Sequence, residues 1–134
     1  MEHQLGRLID HVHLRAGNLD ATRRFYRAVL EVLGRGEAIR EGDGWFNADE
    51  LWIDGADGAV SRVHLAFQAR DQAMVQAFHR AALAAGGRDN GAPGERDYHP
   101  GYYGAFVLDP DGNNIEAVYH APSKRSAASV VVTA

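Results

Sequence analysis

The chain has 134 residues and a formal net charge of −4, from 14 Lys and Arg against 18 Asp and Glu. That is the length of one domain, and it lacks the basic surplus of a general nucleic-acid binder. With no cysteine there is no disulfide framework, thiolate zinc site, iron–sulfur cluster or cysteine nucleophile, so any metal must sit among the seven histidines and the oxygen donors.

Leu8 to Ala16 alternates, with Ile9, Val12 and Leu14, and predicts a strand. Asn18 is a predicted N-cap. The helix after it runs to about Leu33 with Thr22, Phe25, Tyr26, Val29 and Leu33 on one stripe, and Gly34 ends it. Three short strands follow, Glu37 to Glu41, Gly44 to Asn47 and Glu50 to Asp54, punctuated by Gly42, Gly44 and Gly55. Trp45 and Phe46 read as core or cavity wall. Arg62 to Ala69 is a further strand, Asp71 a second N-cap, and Val75, Phe78, His79, Ala82 and Leu83 a second helical stripe closed by Gly86-Gly87. Arg88 to Tyr103, rich in glycine, predicts a long loop: either a lid whose Arg96, Tyr98, His99, Tyr102 and Tyr103 meet an anionic or aromatic substrate, or a plain connector. Gly104 to Leu108 is a strand, Asp109-Pro110-Asp111-Gly112 a turn, and Asn114 to His120 the last strand. Residues 123–134 read as a flexible tail. The longest small or apolar run, Ala81 to Gly87, is too short for a membrane span. Glu2, Arg7 and Asp10 break any apolar signal segment, so the expected location is cytoplasmic.

The order strand, helix, strands occurs twice. At an offset of 53 residues His11, Ala16, Phe25, Arg27, Ala28, Leu30, Gly34 and Arg35 fall on His64, Ala69, Phe78, Arg80, Ala81, Leu83, Gly87 and Arg88, and the two N-caps coincide. The expected fold is α+β, with two copies of one βαβββ module at about 7–54 and 62–120 inside a single domain spanning 1–122.

The repeat makes His11 and His64 equivalent. Strand parity puts Glu116 between Ile115 and Ala117, where a buried carboxylate is costly unless it is paired or bound to a cation. Two imidazoles and one carboxylate form a facial triad with open positions. His11, His64 and Glu116 are therefore the candidate metal ligands, and Glu116 is also a candidate catalytic group. Aligning the last strands of the two modules sets Trp52 opposite Glu116. A two-residue slip would make Glu50 a fourth ligand; three protein ligands is the reading taken. His13 shares the His11 face and lines a cavity or meets solvent. His79 reads as helix packing, His3 and His120 as solvent-facing, and His99 as a loop residue.

Ile9-Asp10-His11-Val12-His13-Leu14 with Asn18-Leu19 and Phe25-Tyr26 resembles the opening of vicinal oxygen chelate proteins. Val63-His64-Leu65-Ala66-Phe67 is similar to their second opening, and Asp109-Pro110-Asp111-Gly112-Asn113-Asn114-Ile115-Glu116 to their closing strand. This superfamily includes glyoxalase, fosfomycin resistance proteins, extradiol dioxygenases and bleomycin resistance proteins. The resemblance implies paired modules forming a cupped mixed sheet around a divalent metal (Mn, Fe, Ni, Zn or Mg), with His11, His64 and Glu116 on ligand positions. It implies a homodimer, with the site sometimes shared between chains, and a small oxygen-bearing substrate. His13, Trp52, Arg96, His99, Tyr102 and Tyr103 are the candidate substrate-binding residues. Glyoxalases carry a fourth ligand where Trp52 stands, and bleomycin-binding members lack the ligands. The expected function is a metal-dependent lyase, transferase or dioxygenase; the alternative is a binder that sequesters a small molecule or antibiotic without catalysis.

Overall fold

The structure is a computed structural model that describes residues 2–5 and 8–133, with side chains from residue 8 onward; the side chain of His3 lies outside it. The elements are β1 (Glu2–Leu5), β2 (Val12–Ala16), α1 (Leu19–Val32), β3 (Ile39–Gly42), β4 (Trp45–Ala48), β5 (Leu51–Gly55), β6 (His64–Gln68), α2 (Gln72–Ala84), β7 (Arg88–Glu95), β8 (Tyr102–Leu108), β9 (Asn114–His120) and β10 (Val130–Thr133). Among the described residues the strands make a sheet of order β2-β5-β4-β3, a second of order β6-β9-β8-β7, and a β1-β10 ribbon. The first strand of each module pairs parallel with the last, and the other pairs are antiparallel. The two βαβββ modules read from the 53-residue offset are therefore the two sheets.

Both helices start where the sequence places a cap. The Asn18 carboxamide oxygen accepts from the Ala21 amide at 3.1 Å, and the Asp71 carboxylate from the Met74 amide at 2.8 Å, each satisfying an amide that the first helical turn leaves unpaired. One face of each sheet supplies the core. Leu14, Phe46 and Ile53 of the first sheet, and Val107, Ile115 and Ala117 of the second, join Phe25, Tyr26, Val29, Val75 and Phe78 of the helices in one buried cluster. The modules meet closely there: a Cβ on Gly87 would lie 2.8 Å from the Phe25 ring and 2.5 Å from Val107.

The Asp109–Asn113 turn locks the modules together. Asp109 Oδ1 accepts from the amides of Asp111 and Asn113, while its Oδ2 accepts from Asn113 Nδ2 and, at 2.6 Å, from the hydroxyl of Tyr26 on α1. The Asp111 carboxylate accepts from the Gly17 amide at the start of module one. Burial, followed by the Asp109 charge, pushes the Tyr26 phenol well above its ordinary pKa.

Three expectations change. The first strand begins at Val12 rather than Leu8, because Leu8 and Ile9 are 90% and 49% exposed and have no core to alternate against. The long loop at 88–103 is mostly β7, an edge strand whose register shifts between Asp89 and Gly91 and again between Gly91 and Gly94. Glycine and Pro93 are tolerated there because a bulged edge needs no continuous ladder. What remains as loop is residues 96–101. The segment 123–134 holds β10, whose β-branched Val130, Val131, Val132 and Thr133 pair with β1. Among the described residues no helix is long and apolar enough to cross a membrane.

Candidate functional site

On the second sheet, the face opposite the helices carries His64, Glu116 and Tyr102. Parallel pairing of β6 with β9 sets His64 beside Asn114 and Ala66 beside Glu116. The Glu116 carboxylate is 1% exposed. His64 Nε2 lies 2.9 Å from Glu116 Oε1, and the Tyr102 hydroxyl donates to Glu116 Oε2. Space for the carboxylate comes from Gly104, where a Cβ would sit 2.9 Å from Oε2. Burial first, then the hydrogen bond to Glu116, pushes the Tyr102 phenol up, so it stays protonated as a donor throughout the neutral range. Phe106 walls the same face, its ring 5.9 Å from that of His64, and Arg96 lies over Phe106 at 5.3 Å. Beside Tyr102, His99 stacks on His120 with Nε2 and Nδ1 3.0 Å apart.

On the first sheet the corresponding face carries His13, Trp52, Asn47, Trp45, Arg15 and Asp54. His13 pairs with Trp52 as Ala66 pairs with Glu116, so Trp52 occupies the place of the second module's glutamate. His13 Nε2 donates to Asp54 Oδ1 at 2.9 Å, which with the nearby Arg15 charge holds the Asp54 carboxyl below its ordinary pKa. His11 precedes β2, mostly exposed, with its Nδ1 2.8 Å from Asp10 Oδ1.

Of the three expected ligands the structure brings His64 and Glu116 together and leaves His11 on the other sheet. Among the described residues no group of three or more His, Asp or Glu gathers to hold a metal. Glu50 lines a separate cleft with Leu51, Leu65 and residues 124–130. The pair that does meet suits a cation. An imidazole nitrogen and a carboxylate oxygen are donors that divalent first-row ions take, and here they stand 2.9 Å apart. Arg96, His99 and Tyr102 stand around this pair or beside it. Tyr103 turns away, and its hydroxyl accepts from Gln76 of α2. His79 bonds Asp89, tying α2 to β7. The sequence reading did not find the Tyr102–Glu116 bond; its only trace was the antiparallel pairing of β8 and β9, which no single-strand pattern contains.

The Glyoxalase/Bleomycin resistance protein/Dioxygenase superfamily matches residues 8–117. The chain belongs to that superfamily. Among solved structures it is similar to a glyoxalase/bleomycin resistance protein from Albidiferax ferrireducens T118, with TM-score 0.72 and 29% identity over 84% of this chain and 98% of that one. A glyoxalase-related enzyme from Fulvimarina pelagi shares the fold with TM-score 0.70 and 22% identity, over 96% of this chain and 99% of that one. A variant of glyoxalase I from Zea mays does so with TM-score 0.55 and 22% identity, over 88% of this chain and 44% of that longer one. A search of curated proteins gives no match. In this superfamily member the two sheets thus carry unlike faces, one acidic and one aromatic, with the expected ligands divided between them.

Proposed function

We propose that the chain is a metal-dependent enzyme acting on a small oxygen-bearing substrate, with the ion held by His64 and Glu116 of one copy and His11 of a second copy in a homodimer. The observation that carries this is the Glu116 carboxylate. It is buried, its ion-pair partner among the described residues is His64, and its other oxygen has only a neutral hydroxyl. A buried carboxylate so placed is short of positive charge, and a divalent cation supplies it. Leu8 and Ile9, exposed beside His11, support a surface that a second copy covers.

A divalent cation there supplies Lewis acidity toward an enolate or oxyanion developing on the substrate. The chain's own groups do the rest. Tyr102 holds Oε2 of Glu116 and His64 stands 2.9 Å from Oε1, which fixes the carboxylate where it would hold the ion. The buried Phe106 ring walls the site, and the Arg96 guanidinium over it offers positive charge to an anionic substrate group.

Two inactive variants test the shared site. His11→Ala and Glu116→Ala each alone are expected to bind no metal in calorimetry. After subunit exchange, half the dimers are mixed and each holds one intact site, so about a quarter of a site per chain should return. Full metal binding by either variant, or no recovery on mixing, sinks the proposal. A second reading is a binder without catalysis, favoured by Trp52 standing where an acid would complete module one. It predicts metal-free purified protein and a thermal shift with flat aromatic drugs.

A further inference from the structure

Trp45 and Trp52 are the only tryptophans in the chain, and they stack on each other with ring centroids 5.1 Å apart and planes 8° from parallel. They stand on the sheet face opposite the core. Trp45 lies flat across Gly42, where a Cβ would come 2.5 Å from its Nε1. Trp52 lines a cavity of about 370 Å³ with His11, His13 and Asn47. That volume is at the small end for ligand pockets and suits one or two fused rings.

His11 Nδ1 faces the Asp10 carboxylate and carries the proton of that bond. His13 Nε2 faces the Asp54 carboxylate and carries the proton of that bond. Asn47 Nδ2 donates to the carbonyls of Asp49 and Leu51, which leaves Oδ1 as an acceptor. Asn47 Oδ1 is thus an available acceptor, and Asp10 and Asp54 add negative charge nearby.

We propose that the Trp45–Trp52 stack is the platform of a binding site for a planar one- or two-ring aromatic that bears an N–H or O–H donor and no carboxylate. The ring stacks on indole, and its donor meets Asn47 Oδ1. Asn47 Oδ1 remains for it whether or not His11 is engaged by a cation. That the bound ring belongs to the substrate rests on the shared site proposed above; that it binds does not, and the test separates the two.

Both indole N–H proton resonances of the chain come from this stack, so they report the site directly. Metal-free protein is titrated with indole, N-methylindole and cyclohexanol. Indole is expected to shift the Trp resonances saturably. N-methylindole, the same flat ring system with a methyl group in place of the donor hydrogen, should bind about five- to tenfold more weakly, and cyclohexanol, a donor without a flat ring, should give no saturable shift. Trp52→Leu should abolish the indole response. No saturable response to indole, or equal binding of N-methylindole, overturns the proposal on the unmodified chain, whatever the variant does. An indole response in a protein whose metal titrations fail would leave this site standing and remove only the shared metal centre.

Discussion

Replacing Tyr26 by Phe tests the joint between the modules. The substitution removes one hydroxyl from a fully buried ring and changes no apolar contact. What is lost is one hydrogen bond of 2.6 Å to a buried carboxylate, a charge-assisted bond with a net value of about 1.5–3 kcal/mol. Asp109 Oδ2 keeps its bond from Asn113 Nδ2 at 2.8 Å, so the oxygen is not orphaned and about 2 kcal/mol is expected. At roughly 2.1 cal/mol/K per residue of unfolding entropy, that lowers Tm by about 7 °C. Urea unfolding at neutral pH measures it. The same residue fixes the alkaline behaviour. Its phenol titrates higher in the folded chain than in the unfolded one. Its contribution is therefore complete below the unfolded value near pH 10 and is lost as pH rises above it, at about 1.4 kcal/mol per unit. Tyr26→Phe should consequently lose less stability than the parent between pH 10 and 11. A variant within about 0.5 kcal/mol of the parent at pH 7, with an unchanged alkaline slope, would refute the lock.

Gly104→Ala puts a methyl group 2.9 Å from Glu116 Oε2 and should displace the carboxylate, weakening calorimetric metal binding at least about tenfold; unchanged affinity would mean the carboxylate is not the ligand. Tyr102→Phe leaves Oε2 without its donor and should weaken metal binding by about ten- to a hundredfold with circular dichroism unchanged. Equal affinity would show that the hydroxyl does not orient the ligand.

Local signals were legible in the sequence. Asn18 and Asp71 announce their helices because an N-cap acts within three residues. Trp52 is placed opposite Glu116 by aligning the last strands of the two modules, and the register agrees. The Arg88–Glu95 strand was hidden because its stability comes from neighbouring β8 rather than from a pattern of its own, and glycine and proline mask it. The valines of β10 have all their side chains exposed, so alternation, which reports one-sided burial, had nothing to report. Tyr102 escaped for another reason: its partner lies across a strand pair whose register only the folded sheet displays. The division of the ligands escaped because a repeat makes His11 and His64 equivalent without making them neighbours. Whether equivalent residues touch depends on how the modules pack, and here Phe25, packed against Gly87, joins them through the helices.

That packing has a consequence for how the duplicated module diverged. Each sheet presents its outer face away from a core that the other sheet shares, so the two faces were free to change separately. On the second sheet the central position of the last strand became Glu116, and it needed Gly104 for space and Tyr102 for a donor. On the first sheet the same position became Trp52, and it needed Trp45 to stack on and Gly42 beneath that ring. Neither change is tolerable alone in the other setting. An indole at 116 would meet the backbone-tight surroundings of Gly104, and a carboxylate at 52 would displace an aromatic pair. Glu116 thus packs against Gly104 and Tyr102, while Trp52 stacks on Trp45, which lies over Gly42; the two faces are built from different neighbours, and a site using both requires them to be brought opposite each other.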